Sequence, residues 1–308
     1  MRLIVLVLLF QALKAPDPAQ MEKAPDLGYM PVAQTLALPD HITLGAPASV
    51  AFTPDSHLVV FNRGRFPLLE FDAAGRFVRS LDTAEYTRPH GMRIDKAGNI
   101  WTTDVAGHTV TKMNPRGEVQ LVLGVKGQAG EWNEAAKTRL LNEPTDVSIG
   151  PSGDIFVTAG HGQATPRVLR FDKNGAFIRS WGGKGTAPGQ FDVAHSVVVD
   201  AKGLVYVADR QNRRVQIFDV DGKFIKAWPF AGLPCGLLIA RDGQMYLVSG
   251  FAGQILKLDA NGKVLAATGQ PGKALGEFGE AHSVAVGPTD EIYVADPAKP
   301  ALHKFVKR

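Results

Sequence analysis

Three histidines stand in matching short contexts: Pro89-His90-Gly91-Met92, Ala194-His195-Ser196-Val197 and Ala281-His282-Ser283-Val284. Three imidazole nitrogens on one tetrahedral ion leave its fourth position open to water or substrate, the ligand set of a catalytic metal. Zinc suits these donors best, although iron, copper and nickel accept the same ligands. Arg63 and Arg210 follow apolar runs at corresponding places, and two guanidiniums aimed at one spot can clamp a carboxylate by bidentate hydrogen bonds. His161 stands next to the same place in a third run, where an imidazole could move a proton near neutral pH. An activity depending on that proton transfer would rise through about pH 6 to 7.

Repeats supply the elements that must position these groups. Ala194–Val199, Val205–Asp209, Arg214–Phe218 and Phe224–Trp228 are four short apolar runs separated by turns, the pattern of an antiparallel meander. The tetrapeptides Asn114–Gly117, Asp172–Gly175, Asp219–Gly222 and Asp259–Gly262 repeat one hairpin turn, with glycine supplying the positive φ. Six copies of the unit start near Pro47, Pro89, Pro144, Ala194, Pro234 and Ala281, a spacing of about 40 to 55 residues that marks propeller blades. The sixth copy lacks a fourth strand after Phe305, and Tyr29–Leu38 is a spare strand that could complete it and close the ring. The expected fold is therefore all-β, a six-bladed β-propeller closed by an N-terminal strand. The one segment with a helical period is Glu131–Leu141, an insertion between the second and third blades.

Comparing blades separates fold from function. The second position of the first strand reads Ala48, His90, Thr145, His195, Cys235 and His282, so histidine occupies alternate blades. Alternate blades are related by about 120° around the channel axis, and their inner strands line that channel at one height. The position after the second strand reads Arg63, Val105, Gly160, Arg210, Gly250 and Pro297, with the two arginines in opposite blades. Cys235 is expected as a small buried thiol, and Gly182–Gly185 as a turn between blades, since it lacks the strand–loop–helix setting of a phosphate loop. His108 suits either a supporting bond near the metal or a turn cap, and His41, His57 and His303 show no convergence.

Composition narrows the function classes. The chain has 308 residues, 34 Lys and Arg against 30 Asp and Glu, and 45% hydrophobic residues. That balance excludes a disordered chain, and a net charge of +4 with no basic run gives no sign of nucleic-acid binding. Residues 1–15, beginning Met1-Arg2-Leu3-Ile4-Val5-Leu6, read as a signal peptide, too short in its apolar part to span a bilayer. Residues 16–308 are then a single propeller domain, expected as a monomer that is secreted or periplasmic.

The repeats resemble the NHL class, most fully at Val207-Ala208-Asp209-Arg210-Gln211-Asn212-Arg213-Arg214-Val215. More narrowly, Phe61-Asn62-Arg63-Gly64, Pro89-His90-Gly91-Met92, Trp101–Val110 and Gly276-Glu277-Phe278 ahead of Ala281-His282-Ser283 resemble the peptidyl-α-hydroxyglycine α-amidating lyases. That resemblance implies a six-bladed propeller whose zinc rests on three histidines, here His90, His195 and His282. It implies release of glyoxylate from a carboxylate-ended hydroxyglycine peptide, with Arg63 and Arg210 as active-site arginines. The family's active-site tyrosine, in an Asp-Gly-Tyr string, corresponds to His161 in Ala159-Gly160-His161. Its acidic calcium ligand corresponds to Ser283, and its disulfides have no counterpart in a chain whose one cysteine is Cys235. A non-catalytic NHL propeller presenting a binding face, and a propeller lactonase, are the other readings; a lactonase leans on carboxylate metal ligands.

Overall fold

The computed structural model describes residues 20–33, 36–81 and 85–308; the leader read at residues 1–15 lies outside them. Six four-stranded antiparallel sheets form the blades. Their inner strands are Pro47–Phe52, Pro89–Ile94, Pro144–Ile149, Ala194–Val199, Pro234–Ile239 and Ser283–Val286. Each inner strand lies against those of the neighbouring blades, including the first against the sixth, so the ring is closed. Closure uses strand exchange: Tyr29–Val32 pairs antiparallel with Ala301–Lys307 and supplies the fourth strand of blade six. The closing strand is shorter than the expected Tyr29–Leu38, because regular pairing ends at Val32↔Lys304.

Turn chemistry sets the hairpins. In blade three Asp172 accepts the amides of Asn174 and Ala176 on one carboxylate oxygen, and Gly175 takes φ +86°. A β-branched or bulky residue would be strained at that angle. Along each blade, burial falls from the inner strands to half-exposed outer ones such as Phe177–Gly182.

The core is not central. Six apolar clusters lie between the blades, one at each blade–blade boundary, for example Val59, Phe61, Met92 and Ile100 between blades one and two. Apolar burial therefore holds the ring from its sides and leaves the axis available to polar groups. The insertion at Glu131–Leu141 is not helical. Trp132–Asn133 pairs with Thr138–Arg139 as a small hairpin, and the Trp132 ring packs on Phe171 and Phe177. Docking that indole outweighs the weak helical tendency of an eleven-residue segment. No helix among the described residues is long and apolar enough to cross a membrane.

Candidate metal centre

A single backbone irregularity aims the histidines. In blades one to five the register between the inner and second strands slips just after the first inner residue, as between Ala194 and Ser196. Such a bulge turns the second residue toward the channel while the third still faces it by strand alternation. In blade six the regular strand starts at Ser283, two residues later than expected, yet the His282 amide still donates to Ala295 O. His90, His195 and His282 thus meet on the axis, their ring centroids 4.7 to 5.0 Å apart.

The odd blades orient the even ones. His90 Nδ1 lies 2.7 Å from Thr145 O, His195 Nδ1 2.9 Å from Cys235 O, and His282 Nδ1 2.7 Å from Ala48 O. A carbonyl only accepts, so each Nδ1 carries the proton and each Nε2 keeps a free lone pair. One ring nitrogen of each histidine lies within 4.8 Å of the others, and engagement of Nδ1 leaves Nε2 as that converging atom. The Nε2 atoms of His90 and His195 are buried without a hydrogen-bond partner. Burial, first among the causes, depresses all three imidazoles below the ordinary histidine range, so they present neutral donors. An orphaned buried acceptor costs stability unless something fills it, and three neutral imidazoles fit a divalent ion such as zinc.

Above the triad the rim gathers charge. His161 packs edge-on against His90, with ring centroids 4.8 Å apart, and lies 5.5 Å from His195. Its loop is held from behind: Gly162 N donates to a Glu143 carboxylate oxygen, and Glu143 N donates to His108 Nδ1. Gly160 sits at φ +95°, where an added Cβ would lie 2.4 Å from Pro166 Cα. Arg63 Nε donates to Pro89 O across the boundary of blades one and two, and a guanidinium nitrogen of Arg210 lies 3.6 Å from a Glu280 oxygen. Arg210 Nε is buried and without a partner. Burial, then Arg210 and Arg88, pushes His161 down to about 3. The pH 6 to 7 limb expected from an ordinary histidine is therefore not that of the free site.

A model described as NHL repeat matches residues 191–218, the entry into blade four and its first three strands. The chain is 32% identical over 276 residues to peptidyl-glycine alpha-amidating monooxygenase A of Xenopus laevis, covering 82% of this chain and 28% of that protein. It is 28% identical to peptidyl-alpha-hydroxyglycine alpha-amidating lyase 1 of Drosophila melanogaster, covering 87% of this chain and 58% of that one. The chain is an NHL-repeat propeller related to the amidating lyases. It spans 34% and 28% of the length of the two Xenopus monooxygenases. A streptogramin B lyase shares the fold at a TM-score of 0.64, 15% identity, and 91% and 98% coverage of the two chains.

In this lyase-related propeller the structure brings together the residues that the blade comparison singled out: the triad converges, His161 packs on His90, and Arg63 and Arg210 lie close enough to act on His161. Cys235 lies between histidines as expected, fully buried, with burial pushing its thiol up to about 12. Gly182–Gly185 connects blades three and four, with Lys184 bridging to Phe191. His57 is away from the site, bonded to Glu70, and His303 sits beside Asp296. Glu280 and Arg88 were missed because they lie on connections just before inner strands, outside the compared positions. Asp104, Asp209 and Asp296 were legible but unread: they end the second strands of the three histidine blades. Each accepts amides of the segment entering its histidine strand, at Thr87 and Arg88, at Asp192, and at Gly279 and Glu280.

Proposed function

We propose that this protein is a zinc-dependent lyase that breaks the C–N bond of an α-hydroxyglycine amide, releasing glyoxylate and leaving the amide. The observation that carries this reading is the convergence of three neutral imidazoles whose outer nitrogens are fixed by carbonyls and whose inner ones point at one another. His90, His195 and His282 would hold the ion, which supplies Lewis acidity toward substrate oxygen. The named amidating-lyase relatives support this chemistry.

The chain's own groups account for the remaining steps. Arg63 and Arg210 hold the substrate carboxylate, with Glu280 on one side of Arg210 limiting where that anion can sit. His161 accepts the hydroxyl proton on its unprotonated ring nitrogen. The C–N electron pair leaves with the amide nitrogen as the carbonyl of glyoxylate forms. His161 then returns the proton to that nitrogen, and no net proton is consumed. A carboxylate seated on the two arginines offsets the charges that depress His161, so the base strengthens when substrate is in place. The non-catalytic reading draws no support from the site, since a binding face needs no inward-facing histidine triad.

The test is direct. Zinc-loaded protein incubated with N-benzoyl-α-hydroxyglycine is expected to release glyoxylate and benzamide in equal amounts, and protein stripped of metal should not. Fully metallated protein that releases no glyoxylate above the uncatalysed rate would remove the lyase assignment.

A further inference from the structure

The lyase resemblance also implies calcium, with an acidic ligand where this chain has Ser283. The residues present do not fit that ion. Calcium takes six to eight oxygens, carboxylates among them. Ser283 and Asp146 line the channel just below the triad, and Asp146 is the one carboxylate among the residues lining this floor. Its oxygens are already engaged: one accepts Val147 N and Arg93 Nε, and the other accepts Ser196 Oγ, Val197 N and Arg93 Nη2. The Arg93 guanidinium also donates to Leu237 O at 2.9 Å and to Ser196 Oγ at 3.1 Å. The one cavity shared by the triad and this floor holds about 20 Å³, room for one water, and its floor side carries a fixed positive charge that repels a dication.

We infer that the Arg93–Asp146 pair takes the place of a structural cation in this propeller, binding the blades to one another from within, and that the chain needs no calcium. The hydrogen bonds run nearly round the ring. Ser49 Oγ donates to Met92 O, joining blades one and two. Arg93 joins two to three, four and five. Ser196 Oγ donates to Asp146 and accepts Leu237 N, joining three to four and four to five. Ser283 Oγ lies 3.0 Å from Ser49 Oγ, joining six to one. At this level of the channel, among the described residues, blades five and six meet through backbone packing instead: an added Cβ on Gly236 would lie 2.7 Å from His282 O. A guanidinium suits this task because its planar fork reaches a carboxylate, a hydroxyl and a carbonyl at once, all in different blades.

The blade comparison carries the same signal. At the third inner position Asp146 is the only charged residue among Ser49, Gly91, Ser196, Gly236 and Ser283. At the fifth, Arg93 is the only one among Ala51, Ser148, Val198, Leu238 and Ala285. One charge of each sign breaks the repeat, and the two meet.

The inference does not rest on the lyase reading, because its readouts are melting temperature and calcium content. Protein is stripped with EGTA, resupplied with zinc alone, and melted with and without millimolar Ca²⁺. The wild type is expected to melt at the same temperature in both and to retain no calcium after dialysis. Arg93→Met, with zinc present, is expected to melt lower by on the order of 5–10 °C, and Arg93→Lys to recover part of that loss. A saturable rise of about 5 °C or more with calcium in the wild type would overturn the inference. So would one retained calcium per chain, or an Arg93→Met variant that melts with the wild type.

Discussion

At the level of His90, His195 and His282 the channel holds buried ring nitrogens without partners. One level further along the inner strands of the ring, at Asp146 of blade three and Ser196 of blade four, no buried side-chain polar atom is left alone among the described residues. Both levels carry polar groups on the axis of one propeller, and both use side chains that break the repeat. The lower level closes on itself and joins blades. The upper level leaves its donors aimed inward, below two arginines and a fourth histidine, and asks for something from outside. Buried polar groups that satisfy each other stabilise a fold, whereas buried acceptors held open cost free energy and mark the place where a ligand offsets it.

Substitutions should separate the two levels, and the largest effect is expected at the triad. His90→Ala, His195→Ala or His282→Ala should lose most bound metal and fall to background activity. The fold should survive, because the six apolar clusters lie between blades and not on the axis. Metal analysis, a glyoxylate assay and thermal melts on the same samples check this. The comparison breaks if a triad variant unfolds outright, for then the upper level is structural too.

His161→Ala is expected to keep its metal and to lose about 100-fold in kcat, the lower part of the range for a removed acid–base group. Single-turnover rates at matched metal content measure it. Unchanged rates would make His161 a rim residue only. Arg63→Ala should raise KM for carboxylate-ended substrates by about 10- to 100-fold, the loss of one charge-assisted clamp, while leaving a neutral amide analogue little affected. Equal effects on both substrates would remove the carboxylate role. The smallest catalytic change belongs to the lower level. Arg93→Met should lower stability by about 3–5 kcal/mol, as breaking a largely buried pair does, yet leave zinc stoichiometry unchanged. A loss of zinc in that variant would mean that the two levels are coupled.

Much of this was legible in the residues. Hairpin turns such as Asp172–Gly175 and the spacing of Pro47, Pro89, Pro144, Ala194 and Pro234 carry the fold, because each blade repeats the same local chemistry. Alternation of histidine at one strand position carries the triad, because symmetry converts sequence spacing into convergence. What failed was local and tertiary. Glu131–Leu141 has helix-forming residues, but whether Trp132 docks on Phe171 and Phe177 depends on a neighbouring blade. The pairing of Arg210 with Glu280 joins blade four to the entry of blade six, which no local pattern encodes. The low pKa of His161 in the free site follows from burial and from arginines brought from different blades, which its residue type alone does not reveal.

The central claim is that three imidazoles hold one catalytic-type metal, and X-ray absorption on zinc-titrated protein tests it most directly. The account predicts saturation at one zinc per chain. It predicts a first shell of three nitrogen donors at about 2.0–2.1 Å with imidazole scattering beyond, plus one oxygen. Substoichiometric zinc, or a shell without the three-imidazole signature, would contradict it.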